Sequence, residues 1–163
     1  MVLVTGASGF VGAALFEGLH EAGFEVRGAV RSLNAISSIS EIGFLAIGNL
    51  GATTDLTSAL MGVDCVIHCA ARTHVMPEPE VDALAAYRTV NVDGSRRLAE
   101  QAATFGVRRL IFLSSIKVNG ESTDGLPGPF GARNDPGRLD VPAPEDPYGV
   151  SKWQAEQALW AVS

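Results

Sequence analysis

An α/β fold built on a doubly wound parallel sheet is what this sequence predicts, and three observations predict it. Short apolar runs, the first rich in β-branched residues, alternate with segments whose apolar residues recur at helical spacing. A glycine-rich turn follows the first of those runs at once. Gly23 and Gly106 each stand just past a periodic segment, where a helix is expected to stop. Parallel strands joined through helices require right-handed crossovers, which wind the chain over both faces of one sheet.

Taken in order, residues 2–5 are the first strand, short and apolar as a buried strand should be. Residues 6–9 form the turn. Residues 10–22 place Val11, Ala14, Leu15, Leu19 and Ala22 on one helical face. Residues 24–30 read as the second strand and, after a serine-rich stretch, residues 44–47 as the third. Asp55 or Thr57 caps a short helix ending near Met61. Residues 63–70 are the fourth strand, 81–105 one long helix, and 107–114 the fifth strand. Residues 119–147 are dense in Gly and Pro and too long for an ordinary connection. Residues 148–162 return to helical pattern. No internal repeat is present. The last helix lacks a following strand, so the sheet reads as unfinished and residues 1–163 as the N-terminal part of a longer protein.

Composition narrows the function classes. A chain of 163 residues with 47% hydrophobic content suits one globular domain. A net charge of -6 with no dense basic run argues against nucleic acid, whose phosphates need clustered Lys and Arg. Cys65 and Cys69 fall on one face of the fourth strand, roughly 13 Å apart at about 3.3 Å per residue. A disulfide needs Cα atoms within about 7 Å, so both are expected as free thiols in a reducing compartment. With no second ligand cluster nearby, no metal site is expected. No apolar run approaches the roughly 18 residues of a membrane span. The N-terminus has no charged segment, and its glycines break any signal-like apolar run. A soluble cytoplasmic protein is the expectation.

The run Thr5-Gly6-Ala7-Ser8-Gly9-Phe10-Val11-Gly12 lies between the first strand and the first helix, the setting a dinucleotide fingerprint requires. Gly6 takes the tight turn, Gly9 lets backbone approach a pyrophosphate, and Gly12 permits close packing of helix on strand. The helix N-terminus offers unpaired N–H groups to phosphate. Gly6, Ser8, Gly9, Phe10, Val11 and Gly12 are therefore the candidate dinucleotide contacts; the alternative is a purely structural glycine turn. The TGxxGxxG spacing, with one residue more between the first two glycines than the commonest fingerprint, resembles the short-chain dehydrogenase/reductase superfamily. The motifs below resemble its extended branch, the NAD-dependent epimerases and dehydratases typified by UDP-glucose 4-epimerase. That resemblance covers essentially the whole chain and implies a Rossmann fold with strand order 3-2-1-4-5.

Tyr148 and Lys152, in YGVSK, are four residues apart and share one helix face. A tyrosine, with a pKa of about 10, needs that value lowered to exchange protons near neutrality. A nearby ammonium and a positively charged nicotinamide both favour phenolate. The resemblance makes Tyr148 the general acid/base, and makes Lys152 both its tuner and a holder of the nicotinamide ribose; the alternative is a helix-start aromatic and a solvated surface charge. Ser114 and Ser115 close the fifth strand, on the edge where such sheets bind ligands. The family pattern of a hydroxyl residue, two residues, then VYG matches from Ser115, with Asn119 in place of the tyrosine. Ser115 is then the catalytic hydroxyl, and Ser114 a strand-end hydroxyl bonded to backbone. Family members that eliminate water carry Asp-Glu directly after that hydroxyl. Here Ile116 and Lys117 stand there, which leaves 4-epimerase or keto-reductase/dehydrogenase chemistry.

The remaining contacts follow from the same resemblance. Asn91, in NVDGSRRL, matches the asparagine that locally disturbs the long helix and supports a water or backbone contact behind the lysine. Cys69, Ala70 and Ala71 match small residues that pass against the cofactor, with His68 a packed strand histidine. Asn49 and Leu50 match the pair that bonds and covers adenine, Asn49 replacing an aspartate. At the end of the second strand no acid is present for a ribose hydroxyl. Arg31, with Ser32, suits a 2′-phosphate, which leans the NAD(P) choice to NADP. The implied function is hydride transfer at a carbon, C4, of a UDP-sugar or similar nucleotide sugar, in surface-polysaccharide synthesis, with a homodimer within the family's range. The alternatives are a reductase of a non-sugar ketone and a non-catalytic NAD(P)-binding domain.

Overall fold

A computed structural model describes residues 1–35, 43–73, 82–124, 130 and 141–162. Strands β1 (Val2–Thr5), β2 (Val26–Val30), β3 (Phe44–Ala46), β4 (Cys65–His68) and β5 (Arg109–Phe112) form one parallel sheet in the order β3-β2-β1-β4-β5. This is the predicted doubly wound Rossmann topology. Register aligns the carboxyl ends: Thr5 pairs with Ala29 and His68, and His68 with Phe112. The strand ends that a ligand meets thus lie along one edge, with the order reversing at β1.

Alternation along β1 sends Leu3 to one face and Val4 to the other. Leu3 joins Leu56, Leu60, Val66 and Leu98 in the larger core; Val4 joins Ala7 and Val30 in the smaller one. Gly28 serves the second core by absence, since a Cβ there would meet the Phe44 ring at 2.6 Å. Phe44 instead stacks against Phe16, centroids 4.3 Å apart.

Helix α1 (Phe10–Glu21) follows the glycine turn, and the N-cap of α2 (Thr57–Leu60) is Leu56 rather than the expected Asp55 or Thr57, with Asp55 accepting from the Thr57 N–H at 2.9 Å just before it. At its other end Arg27 donates to the carbonyls of Ser58, Ala59 and Met61, satisfying groups a short helix leaves open. The single long helix expected over 81–105 is three pieces: α3 (Ala83–Arg88), a π-helical segment Thr89–Gly94, and α4 (Ser95–Thr104). Residue 81 lies outside the described residues. A helical period cannot distinguish 3.6 from 4.4 residues per turn over so short a stretch, so the bulge left no mark in the apolar pattern. Gly94 in that bulge sits 3.0 Å, by its would-be Cβ, from Leu50. Helix α5 (Pro147–Trp160) closes the chain, with Asp146 as N-cap and Pro147 at its first position. Most of the Gly/Pro-dense 119–147 expectation lies outside the described residues, but the Ala143 N–H donates to the Val118 carbonyl and fixes its end. Among the described residues no helix is long and apolar enough to cross a membrane, and no group of three or more His, Cys, Asp or Glu could hold a metal. Both cysteines are free.

Candidate active site

The glycine turn presses backbone against backbone. Gly6 has φ +67°, and a Cβ on it would lie 2.7 Å from the Ala70 amide nitrogen. A Cβ on Gly12 would lie 2.2 Å from the Gly6 carbonyl oxygen. The Gly9 N–H closes the turn on that same carbonyl at 2.9 Å. No side chain caps α1, whose N-cap is Gly9, so its first N–H groups keep their donors for a ligand.

Beside the turn runs a cleft of about 710 Å³. Gly6, Ser8, Gly9, Arg31, Asn49, Leu50, Cys69, Ala70 and Ala71 all line it. The structure therefore brings nine of the sequence-predicted contacts together. Phe10 and Val11 are exposed on the first turn of α1 and lie outside this lining, and Gly12 is buried beneath it. Arg72, Ala86, Thr89 and Val90 line the cleft without having been foreseen. Among the described residues, its charged lining residues are Arg31 and Arg72, both cations in a chain of net charge -6.

Of the three predicted reactive residues, Ser115 and Tyr148 meet at the turn after β5, while Lys152 is directed elsewhere. The Ser115 side chain hydrogen-bonds the Tyr148 phenol. The Tyr87 ring meets the Tyr148 ring edge-on, centroids 6.0 Å apart. Lys152, one turn beyond Tyr148, is 2% exposed and holds its ammonium 4.0 Å from the centre of the Phe112 ring. Burial pulls the Lys152 pKa down to about 8, against the opposing influence of Glu156 and Cys69. The Tyr148 phenol is not lowered in the protein alone. Burial raises it, the Ser115 bond acts against that, Asp146 and Tyr87 add to the rise, and Lys117 opposes it. The ammonium of Lys152 bears on Glu156 and Cys69, so the cation that lowers the phenol here is Lys117, not the expected one. The cause is direction: Lys152 reaches back over β5 while the phenol faces the turn after it.

Ser114 departs from the expected backbone bond. Its hydroxyl donates to the Glu156 carboxylate, tying β5 to α5. Its place is in a second groove, of about 540 Å³, between α4, β5 and α5, away from the glycine turn.

A directional hydrogen-bond chain joins the two halves of the site. Ser95 gives its single hydroxyl proton to the Asn91 carbonyl (2.6 Å). Its contact with His68 Nε2 at 2.8 Å must then be accepted, so Nε2 carries the ring proton. His68 Nδ1 is bare and accepts from the Thr5 hydroxyl at 2.6 Å, and Thr5 Oγ1 accepts from the Ala70 N–H at 3.3 Å. Burial, with the charge of Lys152 adding, drives the His68 pKa down to about 3, so the ring is neutral. Beyond Ser95, the Asn91 side chain accepts from the Arg72 N–H (2.8 Å) and donates to the Arg72 carbonyl (3.0 Å) and to Ser151 Oγ (2.9 Å). Ser151 donates to the Tyr148 carbonyl at 2.7 Å. The chain thus runs from the backbone that faces Gly6 to the backbone of Tyr148.

Sequence reasoning missed Arg72, Tyr87, Ser95, Asp146 and Ser151. Only Asp146 had a local signal: an acid directly before a proline that opens a helix is an N-cap signature. The others owe their roles to contacts across 14 to 60 positions or to a bulge.

With this geometry in view, the relatives are informative. The sequence matches the family described as "NAD dependent epimerase/dehydratase family" over residues 2–163. UDP-glucose 4-epimerase of Vibrio cholerae is 43% identical over 164 aligned residues, covering 99% of this chain and 47% of that protein. N-acetyl-alpha-D-glucosaminyl-diphospho-ditrans,octacis-undecaprenol 4-epimerase of Escherichia coli O157:H7 is 34% identical, covering 97% and 42%. The structure of MoeE5 in complex with UDP-glucose and NAD superposes with a TM-score of 0.75 at 31% identity, covering 99% of this chain and 48% of that one. The chain spans about half the length of the curated relatives it matches.

Proposed function

Because the chain belongs to the NAD dependent epimerase/dehydratase family, we propose that it is the cofactor-binding part of a nucleotide-sugar 4-epimerase or keto-reductase/dehydrogenase. The observation that carries the reading is the Ser115–Tyr148 hydroxyl pair, with Lys152 buried one helical turn away, at the strand edge beside a cation-lined glycine cleft.

A nicotinamide dinucleotide fits the residues present. Gly6, Ser8 and Gly9 line the cleft where a pyrophosphate would lie, the uncapped N-terminus of α1 offers N–H donors, and Arg31 and Arg72 supply positive charge. Asn49 and Leu50 hold the adenine end, and Lys152 the nicotinamide ribose. Bound there, the dinucleotide supplies the acceptor and donor of hydride. MoeE5 carries NAD, whereas Arg31 at the end of β2 offers a partner for a 2′-phosphate. Parallel titrations with NAD and NADP read that choice.

The chain's own residues handle the proton. Tyr148 as phenolate takes the proton of a sugar hydroxyl, and the Ser115 hydroxyl donates to the same sugar oxygen while charge develops on it. The proton goes back to oxygen: Tyr148 would reprotonate the sugar oxygen as hydride returned to the other face of the carbonyl carbon in an epimerisation, or protonate the oxygen of a keto substrate as hydride reached its carbon in a reduction. Water elimination is disfavoured, because Ile116 and Lys117 occupy the positions where a carboxylic acid and a carboxylate would be needed, and Lys117 is already paired with Glu121 and Asp146. Free Cys65 and Cys69 favour a reducing, cytoplasmic setting.

The test is turnover of the full-length protein on UDP-sugars, with a polyprenyl-diphospho-sugar as the second substrate class. Tyr148→Phe should lower kcat by roughly 10²- to 10⁴-fold with cofactor affinity kept. Retained turnover would overturn the proton-transfer assignment.

A further inference from the structure

Lys117 takes no part in the chemistry above, yet it stands at the joint between two of the residues that do. Its ammonium donates to both carboxylate oxygens of Glu121, at 2.9 and 3.0 Å, and to Oδ2 of Asp146. The other oxygen of Asp146 accepts from the Gly149 N–H as the N-cap of α5. One carboxylate therefore holds the helix start with one oxygen and Lys117 with the other. Backbone packing reinforces the joint: a Cβ on Gly149 would lie 2.7 Å from the Lys117 carbonyl oxygen. The Lys117 N–H, for its part, donates to Ser115 Oγ at 3.3 Å. Ser115 is on one arm of this clamp, and Tyr148, two residues past Asp146, is on the other.

We propose that Lys117 is a positioning residue for the Ser115–Tyr148 pair, locking the turn that carries Ser115 to the start of the helix that carries Tyr148 and masking the Asp146 carboxylate from the phenol. The proposal rests on the hydride-transfer reading of this site. An exposed i,i+4 ion pair such as Lys117–Glu121 contributes little by itself. The Asp146 arm differs, since it spans 29 positions and both side chains are only about 30% exposed (29% and 30%). The groups that act on the phenol come from three elements: Asp146 from the N-cap of its own helix, Tyr87 from α3, and Lys117 from the turn after β5. Lys152 lies farther along α5 with its ammonium over Phe112, and Glu121 is held off by Lys117. Asp146 and Tyr87 raise the phenol and Lys117 lowers it. Removing the ammonium leaves the Asp146 carboxylate facing the phenol uncompensated.

The test uses this chain carrying Tyr87→Phe, which leaves Tyr148 as its one tyrosine. Tyrosinate absorbance is followed against pH without cofactor, with far-UV circular dichroism marking the folded range. Lys117→Met should raise the Tyr148 midpoint by about 0.5 to 1 unit. Lys117→Arg should restore it, and Lys117→Met with Asp146→Asn should return it to or below the parent value, because asparagine keeps the cap without the charge. In the full-length enzyme, the acid limb of kcat/KM should move to higher pH by the same amount, and kcat should fall while KM changes less than about twofold. A midpoint in Lys117→Met that is unchanged or lowered, or one that Asp146→Asn does not reverse, overturns the clamp. A shifted midpoint in an enzyme without turnover retains the clamp and instead refutes the hydride-transfer reading.

Discussion

The glycine turn after β1 keeps its shape by what it lacks, whereas the helix that carries Tyr148 and Lys152 keeps its place by polar groups taken out of water. At Gly6 and Gly12 the space a Cβ would need is already filled by backbone, at 2.7 and 2.2 Å. Around α5, by contrast, Asn91, Ser95, His68, Ser151 and Lys152 are all buried and polar, and four of the five satisfy one another through the chain of hydrogen bonds. The first arrangement costs little once glycine is present and is intolerant of any other residue. The second is sensitive to protonation, because its titratable members, His68 and Lys152, are held at pKa values well below their ordinary ones. A wall built from absences should thus fail by steric overlap, and a wall built from buried polar groups should fail with pH.

The largest effect that could break this comparison is Gly12→Ala. Its added carbon would fall 2.2 Å from the Gly6 carbonyl oxygen, far inside van der Waals contact, so the turn must open or α1 must lift, at a cost of roughly 3 kcal/mol or more. Urea denaturation reads it directly, and a midpoint within error of the parent would show that the turn is not close-packed.

Next comes pH. His68 has a folded pKa of about 3 against an ordinary 6.5, so it binds its proton more weakly folded than unfolded. Its contribution is fully present above pH 6.5 and is lost as pH falls toward 3, amounting to about 2 kcal/mol by pH 5. Stability measured from pH 7.5 to 5 should fall along that slope, and His68→Asn should flatten it. In heteronuclear NMR the ring should show a protonated Nε2 and a bare Nδ1 throughout that range. A ring titrating near its ordinary value would remove His68 from the network.

The smallest effect has the opposite sign. Lys152 is buried with its pKa lowered to about 8, so its ammonium weakens the fold progressively as pH falls from 10.5 toward 8 and stays a burden at neutrality. Lys152→Met should therefore stabilise the chain without cofactor by about 1–2 kcal/mol at pH 7 while abolishing turnover in the full-length protein. Thermal melts check the sign, and a loss of stability would mean that the ammonium is held by more than the Phe112 ring.

The same contrast explains what was legible in the sequence. Glycines at fixed spacing after an apolar run, and a tyrosine and lysine one turn apart, are local patterns; the doubly wound sheet follows from alternation of short and periodic segments, and its strand order from the family resemblance. The cleft's lining from Gly6 to Ala71 was accordingly readable. The π-helical segment left no mark in the apolar period and was legible only through the resemblance that marks Asn91 as disturbing the helix. The direction of Lys152, the pairing of Ser114 with Glu156, and the links through Ser95 and Ser151 were not legible, since each depends on where the sheet brings distant residues. The phenol's raised pKa belongs with these: spacing placed an ammonium near Tyr148, but only three dimensions show which ammonium.

The central claim is that the cleft at the glycine turn, and not the groove between α4, β5 and α5, takes the dinucleotide. Amide NMR of this chain titrated with NAD tests it most directly. The account predicts saturable shifts at Gly6, Ser8, Gly9, Cys69, Ala70 and Ala71, extending to the Ser115 turn. Shifts confined to Ala102, Leu110 and Trp160 in the second groove, or none at saturating NAD, would contradict it.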